Sequence, residues 1–291
     1  RSGLSASSQN FLGSVNFDLM AINDWLKNFL GAGFYYKTFM WPKKFWEKIY
    51  EPAIRKAAGL GRLSMEADPS NYDKGYIHSD FLIVGSGISG LMSALLLSKT
   101  GREILVIEED FILGGRLNSE KLLINGKQCS IWINEAVKKL ETLENVRILT
   151  RTSVYATFDH GIFGGLEIKY DNYIDQIGKP RQILWKIYTK FAIICTGSTE
   201  RSIAFGNNDR PGIMLSGAIR SYVNRWSVCP GKNVVIFTNN DDGWRTAQDL
   251  KNKNINIKAI IDSRENINLN DKEIPIFRNT SIIDTSGKIG R

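Results

Sequence analysis

Hydrophobic positions change their spacing partway along the chain, and this change separates two kinds of predicted structure. Over residues 15–30 the apolar side chains recur at helical spacing, and Pro42 suits the first turn of a second helix that runs to about residue 58. The polar stretch 64–80 has the composition of a linker or covering loop. From Phe81 onward short apolar runs alternate with longer amphipathic segments, which predicts strands alternating with helices.

The segments that follow predict an α/β fold. FLIVG and EILVIEE are typical of short buried strands, and SGLMSALLLSKTG between them is typical of a helix. A further helix is predicted over 129–141, and a strand at VRILTR. The polar-alternating segments SVYATFDH, GLEIKYDN and QILWKIYTK predict an antiparallel meander, and FAIICTG predicts one more buried strand. Residues 233–262 repeat the strand–turn–helix–strand plan.

These elements favour an α/β fold in which a parallel sheet carries an antiparallel meander. Three domains are predicted: a helical, aromatic-rich N-terminal segment at 1–75, an α/β domain with the meander at 76–215, and a second, incomplete α/β half at 216–291. Because the chain begins at Arg1 and SIIDTSGKIGR supplies no closing element, we expect a piece of a longer polypeptide.

Composition narrows the class of protein. The chain has 291 residues, 43% of them hydrophobic, which suffices for one or two domains. Its net charge of +8 comes from scattered Lys and Arg residues that alternate with acids, so we expect a solvated surface and no nucleic-acid partner. No run approaches the roughly 18 apolar residues of a membrane span. Three distant cysteines, Cys129, Cys195 and Cys229, argue against disulfides and zinc and favour a reducing cytoplasm.

The strongest chemical signal is GSGISG, which follows a strand and opens a helix. Gly85 permits the tight turn, Gly87 leaves space for a diphosphate, and Gly90 lets helix and strand pack closely. The diphosphate would meet free N–H groups and the positive end of the helix dipole. The second strand ends at Glu108 and Glu109, where an acid accepts hydrogen bonds from ribose hydroxyls and repels a 2′-phosphate, so NAD or FAD is favoured over NADP. Glu108 is the better candidate because it directly follows the apolar run.

Two further turns are candidates for the same site, although each is also typical of a simple turn. In LGGRL the backbone at Gly115 could approach a ribose or a diphosphate, and Arg116 could pair with a phosphate. In CTG, Thr196 and Gly197 end a strand where flavoprotein-like folds bring backbone beside the dinucleotide.

The second half differs from the first at the corresponding turn, which reads TNNDDG. There the asparagine side chains obstruct a diphosphate, and Asp241 and Asp242 repel it, so a degraded site is predicted. The chain shows no Ser–His–Asp order, no carboxylate pair and no CxxC, and therefore predicts neither a catalytic residue nor a metal site. His160 is interpreted as a structural residue.

Several separate stretches resemble the α-subunit family of heterotetrameric sarcosine oxidase, in the same order along the chain. They are GAGFYYKTFMWPKKFWEKIYEPAIRKAAGLG, RTSVYATFDHG, CTGSTERSIAFGNNDRPGIMLSGAIRSYVNR and VVIFTNNDDGWRTAQDL. The block FYYKTFMWP and the turn TNNDD are far more specific than GxGxxG, which many oxidoreductases share. The resemblance covers nearly the whole chain.

The resemblance implies an oxidoreductase that acts on CH–NH donors. It also implies an α/β, FAD/NAD(P)-binding, Rossmann-like fold with two dinucleotide-binding halves, the first at 76–215 and the second, truncated, at 216–291. In that family the heterotetramer oxidises sarcosine to glycine with O2, forming hydrogen peroxide and, with tetrahydrofolate, methylenetetrahydrofolate. It implies NAD in this chain, FAD in the β subunit, covalent FMN at the α–β interface, and tetrahydrofolate in a C-terminal domain that this chain lacks. The implied partners are β, γ and δ subunits, with no nucleic acid and no membrane, and the chain itself becomes an NAD-binding scaffold.

The motifs and the resemblance together define a set of candidate cofactor-binding residues, among which Val154 offers its backbone to the adenine. The set is Gly85, Gly87, Gly90, Glu108, Glu109, Gly115, Arg116, Val154, Thr196 and Gly197. Three alternatives stay open: an FAD-binding reductase of pyridine nucleotides, the α subunit of another amine or imino-acid dehydrogenase, and an interaction module that binds no nucleotide.

Overall fold

The computed structural model of the chain describes residues 13–14, 17–22, 25, 41–57, 67–171 and 178–287. The chain divides into two compact units, Arg1–Asp68 and Pro69–Arg291. Most of the aromatic block FYYKTFMWP lies outside the described residues.

The described parts of the first unit are short. Gly13–Ser14 pairs antiparallel with Phe17–Asp18, and the Asp18 carboxylate caps the 3₁₀ turn Leu19–Ala21 by accepting a hydrogen bond from the Met20 N–H at 2.9 Å. The helix expected over 15–30 is therefore wrong at Phe17–Asp18, and most of its remainder lies outside the described residues. The second expected helix is confirmed as a 3₁₀ turn at Lys43–Phe45, a π turn at Trp46–Tyr50 and the helix α1 at Glu51–Ala57.

The second unit contains the α/β structure. Its first part consists of β1 (Asn71–Val84), α2 (Ile88–Leu97), β2 (Ile104–Ile107), α3 (Cys129–Glu141), β3 (Val146–Leu149), β4 (Thr152–Phe158), β5 (Ile162–Ile168) and β6 (Pro180–Ile194). These strands form one sheet in the order β3-β2-β1-β6-β5-β4. The first four are mutually parallel, and β5 and β4 add an antiparallel edge. The predicted parallel sheet with a meander is confirmed.

Strand β1 is longer than the sequence predicts. The linker expected over 64–80 is wrong for residues 71–80, which belong to β1 and pair in parallel with β6. Gly75 lies opposite Trp185, and His78 opposite Tyr188, where the two rings stack with centroids 4.9 Å apart. Main-chain hydrogen bonds and cross-strand contacts therefore stabilise a segment whose polar side chains favour a loop.

Strand β6 also differs from the prediction. The separate strands expected at QILWKIYTK and FAIICTG form one element, because no turn interrupts the backbone between Lys190 and Phe191. Its first part lies between β1 and β5, and its last part pairs with β1.

Two apolar layers hold this sheet. On one face, α2 and α3 pack on the strands through a cluster that includes Ile83, Leu91, Val106 and Leu140, all fully buried. On the other face Leu82 and Ile187 belong to a second cluster. Because β1, β2 and β6 are parallel neighbours, their carboxyl ends lie side by side at one edge of the sheet, where ligands bind in open α/β sheets.

The last part of the unit repeats the plan in smaller form, as predicted for 233–262. After α4 (Ser216–Arg220) and a π turn at Ser221–Arg225 come β7 (Asn233–Thr238), α5 (Asp241–Lys251), β8 (Asn256–Asp262) and β9 (Ile276–Arg278). The strands are parallel in the order β7-β8-β9. Leu250 and Ile260 lie in their common core.

Candidate dinucleotide-binding site

The turn between β1 and α2 is built on two glycines that no other residue can replace without movement. Gly85 has φ +97°, in the region that favours glycine, and a Cβ there would lie 2.4 Å from the Cys195 carbonyl oxygen. A Cβ on Gly90 would lie 1.9 Å from the Gly85 carbonyl oxygen. Strand, turn and helix are therefore in direct backbone contact, as the fingerprint predicts.

Gly87 has a different surrounding. It is the N-cap of α2, with extended backbone (φ −62°, ψ −172°), and no side chain of the described residues caps the helix there. No described atom lies within 4 Å of the position that a Cβ would take. The amino end of α2 thus combines uncapped N–H groups with open space, which is the environment that a diphosphate requires.

Glu108 lies beneath this turn, where the structure places it against Ser86. Its Oε2 accepts hydrogen bonds from the Ser86 N–H at 2.8 Å and the Ser86 hydroxyl at 2.6 Å, and its Oε1 accepts one from the Asp110 N–H at 2.9 Å. Only 6% of Glu108 is exposed. A carboxylate has about four acceptor positions, so these three bonds leave one for a ribose hydroxyl. Sequence reasoning missed the role of Ser86, because a buried serine inside GSGISG carries no signal of its own.

The LGGRL turn packs directly on the GSGISG turn. The Gly114 N–H lies 3.1 Å from both the carbonyl and the hydroxyl oxygen of Ser86. Gly115 has φ +51°, and a Cβ there would lie 3.1 Å from the Gly87 Cα. The structure therefore brings Gly115 to the open end of α2, as the sequence suggests.

The remaining candidates lie around the same edge. The Cys195 N–H donates to the Val84 carbonyl at 2.7 Å, which places Thr196 and Gly197 just beyond the turn. Glu109 is exposed and follows Glu108. Val154 is half-buried on β4, two residues after Thr152, whose N–H donates to the Glu108 carbonyl at 2.9 Å.

Arg116 already has protein partners. Its Nη2 donates to both carboxylate oxygens of Asp242, at 2.9 and 2.8 Å, and its Nε donates to Glu120 at 2.8 Å. Burial by itself lowers the pKa of this guanidinium, but the two carboxylates outweigh burial and raise the pKa above its ordinary value. Pairing of Arg116 with a phosphate stays a prediction, and it requires an exchange of partners.

A second link joins the loop after Glu108 to the last part of the unit. Arg225 donates to both oxygens of Asp110, at 2.6 and 2.9 Å, and this pairing lowers the pKa of the Asp110 carboxyl. The guanidinium also lies 5.2 Å from the ring centroid of Phe111 and 4.6 Å from that of Trp226. The pair holds the loop that would border the ribose.

The turn between β7 and α5 keeps one feature of the fingerprint and lacks the rest. A Cβ on Gly243 would lie 2.5 Å from the Thr238 Cβ, so Gly243 has the helix-packing role that Gly90 has in the first turn. The Asn240 side chain accepts a hydrogen bond from the Asp242 N–H at 2.9 Å and so caps α5. Comparing the two turns position by position in the sequence would have found Gly243.

Other kinds of site are not evident in the part of the chain that the structure describes. No cluster of three or more His, Cys, Asp or Glu residues there could hold a metal ion. None of the helices described is long and apolar enough to cross a membrane.

The fold and the turn define an NAD(P)-binding, Rossmann-like α/β protein, and the family of NAD(P)-binding Rossmann-like domains matches residues 83–134. Among solved structures the chain is similar to the L-proline dehydrogenase of P. horikoshii, with a TM-score of 0.54 at 24% identity, over 71% of this chain and 42% of that one. It is also similar to the thioredoxin reductase of T. acidophilum, with a TM-score of 0.53 at 16% identity, over 73% and 68%. These likenesses concern the fold alone.

Sequence comparison is more specific. The chain is 43% identical to sarcosine oxidase subunit alpha of Rhizobium meliloti, over 90% of this chain and 27% of that protein. It is 33% identical to sarcosine oxidase subunit alpha of a Corynebacterium species, strain P-1, over 78% of this chain and 24% of that protein. The chain is thus a homologue of sarcosine oxidase α subunits, which confirms the predicted resemblance, and it spans about a quarter of their length.

Proposed function

We propose that this chain is the dinucleotide-binding part of a sarcosine oxidase α subunit and that it holds NAD at the turn between β1 and α2. The observation that carries the proposal is the open, uncapped amino end of α2 at Gly87. A diphosphate fits there because the free N–H groups and the helix dipole both favour negative charge.

The proposed contacts are those predicted from the sequence. Gly85, Gly87 and Gly90 shape the turn, and Gly115 lies against it. The ribose would hydrogen-bond to Glu108 or to the exposed Glu109, and an acid at that place disfavours a 2′-phosphate. Val154, Thr196 and Gly197 would border the nucleotide, and Arg116 would reach its phosphates after leaving Asp242.

We propose a scaffold role for this chain. NAD, when bound, would supply a nicotinamide able to exchange hydride, but the proposed scaffold holds NAD without turning it over. The groups around the turn bind and orient: Ser86 and Glu108 fix the backbone, and Arg225 fixes the loop after Asp110. These side chains are hydrogen-bonded to protein groups, as expected of a rigid binding site. Catalysis would belong to other chains.

The wider assembly is proposed from the relatives. Their name, sarcosine oxidase subunit alpha, favours an oxidoreductase subunit in a multi-subunit complex. The proposed complex has β, γ and δ subunits, FAD and covalent FMN, and a folate domain beyond this chain. It oxidises the CH–NH bond of sarcosine with O2 in the cytoplasm. The division at residues 75 and 215 into a helical segment and two Rossmann-like parts is likewise part of the proposal.

One experiment tests the cofactor assignment. The protein is purified, its visible spectrum is recorded, and the nucleotide released on denaturation is identified by mass spectrometry. A colourless chain that releases NAD supports the proposal. A yellow chain that releases FAD contradicts it and favours the FAD-binding reductase. Turnover of proline or another amine in place of sarcosine by the purified complex would favour the related dehydrogenases.

A further inference from the structure

A cluster of charged side chains surrounds Asp242, at the start of α5. Arg116 contacts its carboxylate at 2.8 Å, Arg220 at 2.6 Å and Arg245 at 3.9 Å. Arg220 is 1% exposed and also lies 3.4 Å from Glu120. Three guanidinium groups therefore converge on one carboxylate, with Glu120 as the second acid of the cluster.

The groups that surround the Asp242 carboxylate are of the kinds that bind phosphate in other proteins. Arginine forks and a helix amino terminus are the groups that proteins use to hold phosphate oxygens. The Nε of Arg220 is buried and has no hydrogen-bond partner among the described residues, so the cluster offers more donors than its two carboxylates accept. Asp242 is at the place in the second turn that corresponds to the phosphate-binding end of α2 in the first.

We infer that Asp242 is an internal substitute for a phosphate, and that its carboxylate closes an anion site which the second turn would otherwise present. The sequence suggests that Asp242 repels a diphosphate. The structure adds that the arginines needed to hold an anion are in place and that Asp242 occupies them. Arg116 is shared with the phosphate contact proposed for the first turn, whereas the buried Arg220 pairs, among the described residues, only with Asp242 and Glu120 and so distinguishes the two sites.

The test removes the charge of Asp242 and keeps its shape. In the full chain, Asp242→Asn leaves Arg116, Arg220 and Arg245 facing only Glu120, a net change from one excess positive charge to two. Asp241→Asn is the matched control, because Asp241 is in the same helical turn but pairs with Arg264 at 2.8 Å. Binding of inorganic phosphate is measured by calorimetry and by thermal unfolding, against chloride at equal ionic strength.

We expect Asp242→Asn to bind phosphate at least about tenfold more tightly than the wild type and Asp241→Asn do. Equal phosphate binding by all three proteins would overturn the inference. So would equal binding by Asp242→Asn and the double variant Arg220→Gln/Asp242→Asn, because the anion would then lie elsewhere, for example at the first turn with Arg116. If Asp242→Asn does not fold in chloride, the inference requires that phosphate restores folding, and failure in both salts would refute it.

Discussion

Substituting alanine at Gly90 should lower the stability of the fold. The same substitution at Gly87, three positions earlier, should leave stability nearly unchanged and lower NAD affinity. At Gly90 the new Cβ would lie 1.9 Å from the Gly85 carbonyl oxygen, so α2 has to move away from the sheet by more than about 1 Å. Such overpacking costs about 1–3 kcal/mol of unfolding free energy. At Gly87 the backbone is extended and no described atom lies within 4 Å of the Cβ position, so stability should change by less than about 0.5 kcal/mol.

The effect on NAD binding should be largest for the variant at Gly87. The Cβ of Gly87→Ala would project into the space proposed for the diphosphate, and NAD affinity should fall at least about tenfold, or about 1.4 kcal/mol. Unfolding in urea, followed by circular dichroism, measures stability, and calorimetry measures NAD binding. Gly231→Ala is a control for the general effect of alanine, since its backbone does not have a positive φ and its Cβ would meet, among the described atoms, only the Asn233 carbonyl oxygen, at 3.9 Å.

Two results would refute this reasoning. If Gly87→Ala binds NAD as tightly as the wild type, the dinucleotide is not held at the amino end of α2. If Gly90→Ala is as stable as the wild type, the close contact between α2 and the turn is not a constraint on the fold. Loss of stability in Gly87→Ala would instead show that its Cβ position is filled.

Further predictions concern two buried carboxylates. Glu108→Gln should destabilise the fold by about 1–3 kcal/mol, because the neutral amide is a weaker acceptor for the two Ser86 hydrogen bonds; an unchanged urea midpoint would contradict this. Burial raises the pKa of the Asp262 carboxyl, but hydrogen bonds from Arg264 and the Trp244 indole outweigh burial and hold the pKa at about 2. Since the pKa in the unfolded chain is about 3.9, ionised Asp262 stabilises the fold above about pH 4, and that contribution is lost as the pH falls toward 2. The urea midpoint of the wild type should therefore exceed that of Asp262→Asn at pH 7 and approach it at pH 2.5. The same difference at both pH values would contradict the assignment.

Local signals made much of the site predictable from the sequence. Each glycine of GSGISG is required by structure within a few residues of it. Gly85 adopts a positive φ, Gly87 leaves open space, and Gly90 allows the contact between helix and turn. The apolar run before Glu108 likewise places that residue at the end of β2. Periodicity and turn chemistry carry such information because they depend on neighbours in the chain.

The features that sequence reasoning missed depend on distant partners. Residues 71–80 form a strand only because β6, more than a hundred residues later, pairs with them. The Arg116–Asp242 pair spans 126 residues, so neither side chain indicates the other in the sequence. Polar character alone cannot distinguish a loop from a strand edge, or a phosphate-binding arginine from one that pairs with a carboxylate.

The most direct test of the central claim is the structure of the protein with NAD bound, obtained from crystals grown with NAD or by electron microscopy of the assembled complex. The account predicts that the diphosphate lies at the amino end of α2 beside Gly87, with the ribose near Glu108 and Glu109. NAD bound at Asn240–Gly243, or FAD in place of NAD at Gly87, would contradict it.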